Sequence, residues 1–249
     1  MKKLFKKLEN KLSVFNNQKP TTYFAFVFYI SIPIQIILSK LNKIILPTQK
    51  TFLLNVKKGS FSNKWFDNNI ALFFIVLFFL KMKNLFWKTK ILELGSWEGR
   101  SSLFIISFSK NFFLTCVDTW EGADEHKNNK NLNSIFKKFN NNLANYIGIN
   151  LKIEKTNTSD FFKNQNLENK YDLIYVDASH KAEDAFLDLA NSINHAKNFS
   201  FIIIDDYLWQ FYKDFKKNPG WGVNLFMRSK PNRIIIPIFV SYQVLLLIL

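Results

Sequence analysis

Residues 90–102 read KILELGSWEGRSS, and the reading of this stretch decides the fold. An apolar run passes through an acid, Glu93, turns at Gly95 and Gly99, and enters a helix-like segment. A strand that ends on a glycine turn and gives way to a helix is the opening unit of an α/β sheet. The N–H groups at the start of that helix make such a turn a place to hold a nucleotide. A dinucleotide fingerprint needs three glycines spaced G-x-G-x-x-G. Here Trp97 stands where the second glycine would be, and Glu93 and Glu98 flank the turn. An acidic rim repels a pyrophosphate and suits a ligand that carries a cationic centre and an amino group.

Working outward, the same alternation continues. Short apolar runs at 90–94, 112–117, 151–154, 171–176 and 199–204 alternate with helix-like segments near 101–110, 131–146, 159–165 and 181–196. Strands alternating with helices predict a parallel sheet covered on both faces. The tail, NRIIIPIFVSYQVLLLIL, holds two apolar runs that meet near Val240 and Ser241 with no room for a crossover helix. Two runs joined so tightly pair antiparallel. The expected fold is therefore α/β, a Rossmann-like, doubly wound, mostly parallel sheet closed by a C-terminal antiparallel hairpin. Residues 1–60 read as a separate N-terminal extension, with KKGSFSN (57–63) as the linker to a domain over 61–249.

Composition narrows the function. The chain has 249 residues, a formal charge of +15 and 48% hydrophobic residues, enough for one sizeable core. The positive charge is almost all lysine; Arg100, Arg228 and Arg233 are the arginines. Arginine is the residue suited to bidentate phosphate and base contacts, so the charge reads as a solvated surface and nucleic acid is not expected as a partner. Cys116, the single cysteine, lies in the apolar run FFLTCV and reads as a buried, inert thiol of a reducing compartment. Cysteines and histidines are not spaced for zinc. At the N-terminus, the basic amphipathic MKKLFKKLENKL precedes YFAFVFYISIPIQIILS (23–39), an uncharged run of minimal spanning length interrupted by Pro33 and Gln35. Two readings stand for it: contact with a membrane, or elements buried against the protein. The expected location is the cytoplasm, or the inner face of the membrane if the first reading holds.

Three segments together, ILELGSWEGRSS, CVDTWEGADEH and YDLIYVDASHKAEDAFLDL…FIIIDDY, resemble the class I S-adenosylmethionine-dependent methyltransferases. The resemblance extends over about 60–249, and it is nearest the bacterial subgroup related to macrocin-type O-methyltransferases and cephalosporin-hydroxylase-like proteins. The cofactor's sulfonium and ammonium fit the acidic rim. The resemblance implies that Glu93, Gly95, Ser96 and Gly99 hold the methionine part. It implies that Asp118, 25 residues after Glu93, accepts the two ribose hydroxyls. Thr119 and Trp120 follow, with Trp120 placed to pack on the adenine, and Ser159 matches a position at the adenine edge. Trp97 reads as a shield over the turn.

Acids also end the fourth and fifth strands: Asp177, and the pair Asp205 and Asp206. Adjacent strands lie about 4.8 Å apart, so these carboxylates converge and repel unless protonated or bridged by a cation. An all-oxygen set favours magnesium or another hard divalent ion, and the resemblance implies a metal at these positions. Asp177 would then position a substrate hydroxyl. His180, three residues on, is a candidate general base, with a hydrogen bond to an acid such as Asp184 as the other reading. His195, late in a helix, suits the helix dipole as a cation, and His126 lies in a polar loop. The expected activity is methylation of a small hydroxylated molecule such as a sugar or glycolipid. The rivals are a hydroxylase-like relative and a non-catalytic, membrane-peripheral nucleotide-binding protein.

Overall fold

The computed structural model describes residues 2–126, 132–229 and 231–249. Seven strands form one sheet: β1 (Thr89–Leu94), β2 (Phe112–Asp118), β3 (Leu151–Lys155), β4 (Tyr171–Val176), β5 (Ala196–Ile204), β6 (Ile235–Val240) and β7 (Val244–Ile248). Their order is β3-β2-β1-β4-β5-β7-β6. The first five are parallel, and β7 is antiparallel to both β5 and β6, so the doubly wound sheet with its closing hairpin is as expected. From β1 the chain first crosses to β2 and β3 on one side, then returns to lay β4 on the other. That reversal opens a crevice beyond the carboxyl ends of β1 and β4.

Each strand supplies both faces through its two-residue period. Ile91 enters one apolar cluster, with Phe73, Leu77, Phe104 and Phe139. Leu92 and Leu94 enter the other, with Phe15, Phe28, Leu189 and Val223. The first cluster is covered by α4 (Ile70–Lys83), α5 (Arg100–Phe108) and α6 (Leu132–Leu143). The second is covered by α7 (Thr158–Lys163), α8 (Ala182–His195) and α9 (Pro219–Arg228). The helix expected over 131–146 begins at Leu132, since Asn131 lies outside the described residues.

The N-terminal helices α1 (Lys2–Asn17), α2 (Thr22–Thr48) and α3 (Lys50–Lys58) are not set apart from this sheet. Phe15, Phe24, Val27 and Phe28 are buried in the second cluster, and Phe52 of α3 in the first. The Ser31 hydroxyl accepts the Val240 N–H at 3.0 Å, so α2 satisfies a donor on the edge strand β6. By length and composition α2 could cross a membrane, as could the segment Trp65–Lys83. A crossing would strip Phe24, Val27 and Phe28 out of the core. Extension and domain share one interior because these phenylalanines have partners on the sheet, which a hydropathy count does not register. The expected linker is fastened too: Ser60 N donates to Asn142 at 2.7 Å, and Ser62 N to Glu98 at 2.5 Å.

Candidate active site

The turn after β1 is held by Glu93 from beneath. Its carboxylate is buried and accepts the hydroxyls of Ser96 (2.8 Å) and Ser102, and the Cys116 thiol at 3.2 Å. Burial raises the carboxyl above its usual range against these bonds. Glu93 therefore faces the strand–helix junction rather than the cleft, and the expected contact with the cofactor's cationic end is not made by its side chain. Cys116 is buried as expected, its thiol pushed well up by burial and by the Glu93 charge.

Gly95 (φ +84°) and Gly99 (φ +79°) both take left-handed backbone conformations. A β-carbon on Gly99 would lie 2.7 Å from Leu143 and 2.9 Å from Phe139. Beside them, Glu98 is tied to Lys138 at 2.7 Å, and Arg100 makes two bonds to Asp67 at 2.7 and 2.8 Å. Burial opposes the Glu98 charge, but the bonds from Lys138 and Ser62 outweigh it and hold this carboxyl below its usual value.

Asp118, at the end of β2, reaches back to the same turn. Its Oδ2 accepts the N–H groups of Ser96 and Trp97, both at 2.8 Å, and Oδ1 accepts Trp120 N at 2.7 Å. Three of roughly four acceptor positions are filled, so the carboxylate first builds the turn and keeps one position for a ligand hydroxyl. Thr119 and Ser159 line the cleft. Trp120 does not: it is 4% exposed, donates its indole N–H to the Trp97 carbonyl at 2.8 Å, and packs on Phe136 and Phe139. The expected packing of Trp120 on adenine is overturned by this inward rotamer. The aromatic wall of the cleft is instead Trp65, Trp97 and His126, with Trp97 and His126 centroids 4.5 Å apart. Trp65 carries no motif signal, because it comes from a 3-10 turn before α4, and His126 closes the stretch CVDTWEGADEH without a role of its own being legible there. Trp97 (φ +49°) is more than a shield: it lines the cleft, and its buried indole N–H has no partner among the described residues.

At the ends of β4 and β5 the acids part company. Single ligand atoms of Asp177, His180 and Asp206 lie within 4.8 Å of one another, and His180 Nε2 is 2.8 Å from Asp206 Oδ2. Asp205 is turned away, accepting from Asn69 at 3.0 Å, Gln243 at 3.2 Å and Tyr175 at 2.5 Å. The expected three-carboxylate set is thus two carboxylates and an imidazole, because Asp205 is engaged by side chains from three other elements. Tyr175 Oη is also 2.8 Å from Asp177. One hydroxyl carries one proton, so its second contact requires a proton on a carboxyl. Burial, followed by the neighbouring acids, pushes Asp177 well above the carboxylate range and Asp205 up to about 6. Asp206 sits at φ +55°, an uncommon conformation for a residue with a side chain, which aims its carboxylate at His180. His180 stacks on Trp209 with centroids 4.5 Å apart, while Asp184 takes the Ser179 hydroxyl instead. His195 is no cation at a helix end: it is buried against Phe162, next to the Asn169 carbonyl, and burial lowers its pKa.

The turn and the acids open into one cleft of about 1870 Å³. Ligand pockets commonly run to about 300–1,000 Å³, so this one has room for a nucleotide and a second molecule.

Residues 92–207 match a family described as a methyltransferase domain. No curated protein matches the sequence. Among solved structures, the chain is similar to a Staphylococcus aureus protein provisionally assigned as a caffeoyl-CoA O-methyltransferase: TM-score 0.54, 18% identity, covering 83% of this chain and 98% of that one. It is similar to a Klebsiella pneumoniae protein provisionally assigned as an O-methyltransferase, with TM-score 0.53, 16% identity, and 86% and 99% of the two chains covered. A Bacillus cereus O-methyltransferase in complex with SAH aligns with TM-score 0.51 and 11% identity over 91% and 99%. At these identities the structures share the fold. The matched stretch takes in the glycine turn, Asp118 and the acids at the ends of β4 and β5, and over these residues the chain is similar to a methyltransferase domain.

Proposed function

We propose that the protein methylates a hydroxyl group of a small molecule, a sugar or glycolipid being the class in view, and that a divalent cation sits among Asp177, His180 and Asp206. The observation that carries this reading is the gathering of those three ligand atoms at the wall of the cleft that also holds Gly95 and Asp118. The donor set fits a cation: two carboxylates repel until an ion or protons separate them, and the Asp177 carboxyl is pushed up first by burial and then by the neighbouring Asp205 and Asp206. Two oxygens and one imidazole suit magnesium less strictly than three oxygens, and admit manganese or iron. When bound, such an ion lowers the pKa of a nearby hydroxyl and orients it.

The cofactor supplies an electrophilic methyl group on a sulfonium. The turn at Ser96–Gly99 lets backbone approach it closely, Asp118 keeps an acceptor position for a ribose hydroxyl, and the unpartnered Trp97 indole N–H offers a donor. Trp65, Trp97 and His126 exclude water from one wall. On this reading His180 is a ligand rather than the general base, because its Nε2 is the atom already directed at Asp206.

Calorimetric titration with S-adenosylmethionine and S-adenosylhomocysteine, followed by methyl-transfer assays on hydroxylated acceptors with and without EDTA, tests the proposal. The expected result is binding of both nucleotides and turnover that EDTA abolishes and a divalent ion restores. Nucleotide binding with no turnover on any acceptor would favour the binding-protein alternative. Full turnover in EDTA would remove the cation.

A further inference from the structure

The end of the sheet opposite the cleft carries a surface that catalysis does not use. α4 starts beside the acids, where Asn69 bonds Asp205, and descends to Lys83, whose ammonium reaches the Phe199 carbonyl at 2.7 Å. The chain then turns through Leu85, Phe86 and Trp87 into β1, with Phe86 86% and Trp87 74% exposed. The outer face of α4 continues this surface through Phe78, Phe79 and Met82, all more than half exposed. Phe79 packs edge-on against Phe201 at 5.5 Å, which joins the helix to the middle of β5. Monomeric proteins rarely leave so many large apolar side chains together in water without a use for them.

The charge around this corner is one-sided. The stretch 81–90 reads KMKNLFWKTK, with four lysines and no acid. Lys81, Lys83, Lys88 and Lys90 are all exposed. The acid at the start of β4, Asp172, is buried and already takes Lys197 at 2.7 Å and the Lys90 N–H at 2.9 Å. An aromatic tip ringed by lysines matches the two layers of an anionic bilayer surface: rings at the acyl boundary, ammonium groups among the phosphates. A second copy docked by two-fold symmetry would instead set these lysines against themselves.

We propose that the corner 81–90, with the outer face of α4, docks the protein on an anionic lipid bilayer. The cleft, at the other end of the strands, then opens toward water. This contact is distinct from any made by α2, and it does not depend on the identity of the methyl acceptor.

Flotation of the full-length protein with vesicles of phosphatidylcholine, with or without phosphatidylglycerol, tests it. Binding is expected only with phosphatidylglycerol present, weakening as salt rises. The double variant Phe86→Ser/Trp87→Ser should lose about tenfold or more in partitioning while binding S-adenosylmethionine normally. A variant of the exposed α2 face, Ile34→Ser/Ile37→Ser, should partition like the wild type. Wild-type protein that stays off anionic vesicles would overturn the proposal. So would loss of binding in the α2 variant but not the corner variant. Self-association by light scattering that disappears in the corner variant would also overturn it, by showing that a second copy covers this face.

Discussion

A β-carbon added to Gly95 would lie 2.0 Å from the carbonyl oxygen of Asp177. The cofactor turn and the acid cluster therefore press against each other across the β1–β4 boundary, and neither can shift alone. Gly95→Ala should destabilise the fold by about 1–3 kcal/mol, through overpacking and a left-handed backbone, and should weaken S-adenosylmethionine binding in parallel. Thermal unfolding and titration of the same variant check this; wild-type behaviour in both would mean that β4 yields at little cost.

Asp118 supports the turn with both carboxylate oxygens. Asp118→Asn keeps one acceptor oxygen and sets an amide N–H₂ near backbone donors. Affinity for S-adenosylmethionine should fall by about 1.5–3 kcal/mol, the range for bonds to a charged group. Titration calorimetry measures it. An unchanged affinity would show that the turn holds its shape without this carboxylate.

Asp205 and Asp206 are adjacent in sequence and opposite in role. Asp206→Asn should cut turnover by about 10²-fold or more with little change in cofactor affinity. Asp205→Asn, which disturbs bonds to Asn69, Gln243 and Tyr175, should chiefly lower stability, by about 1–3 kcal/mol. Paired turnover and unfolding measurements separate them. Equal losses of divalent-ion affinity in both variants would restore the three-carboxylate set.

Asp188 in α8 is 2% exposed, and one of its carboxylate oxygens has no partner among the described residues. Burial pushes its pKa up to about 7. A carboxyl whose pKa is raised on folding binds more protons in the folded state. It therefore costs stability progressively as pH rises from about 4, the value in the unfolded chain, to about 7. Asp188→Asn should unfold at higher temperature than the wild type at pH 8, with the gap closing toward pH 4. A gap independent of pH would exclude this titration as the cause.

Strand positions were legible because each strand is a short apolar run bounded by acids, glycines or asparagines, and the two-residue period does the rest. α9 was not legible. Its start, PGWG, has the composition of a turn, yet Gly220 and Gly222 are there for close approach. A β-carbon on either would lie 2.3 Å from the Tyr207 carbonyl oxygen or 1.9 Å from that of Ala182. Within the site, the glycines, Asp118 and Asp177 stand where spacing puts them. The directions of Glu93, Trp120 and Asp205 depend on rotamers set by Ser102, Phe139 and Gln243, partners brought together only by folding. The same holds for Trp65 and His126, which become a wall only once both loops reach Trp97.

The bond between Ser31 and Val240 spans 209 residues, and Gln18 similarly reaches Tyr207 and Asn224 across 189 and 206. A ribosome adding about 5–20 residues per second delivers β6, the strand that α2 caps, roughly 10–40 s after the helix itself. For that interval the part of the apolar cluster that β6 and β7 supply around Phe24, Val27 and Phe28 is missing. Long-range closure of this kind makes a slow last step in folding. The last two strands of the sheet are the ones that fasten α2 to it.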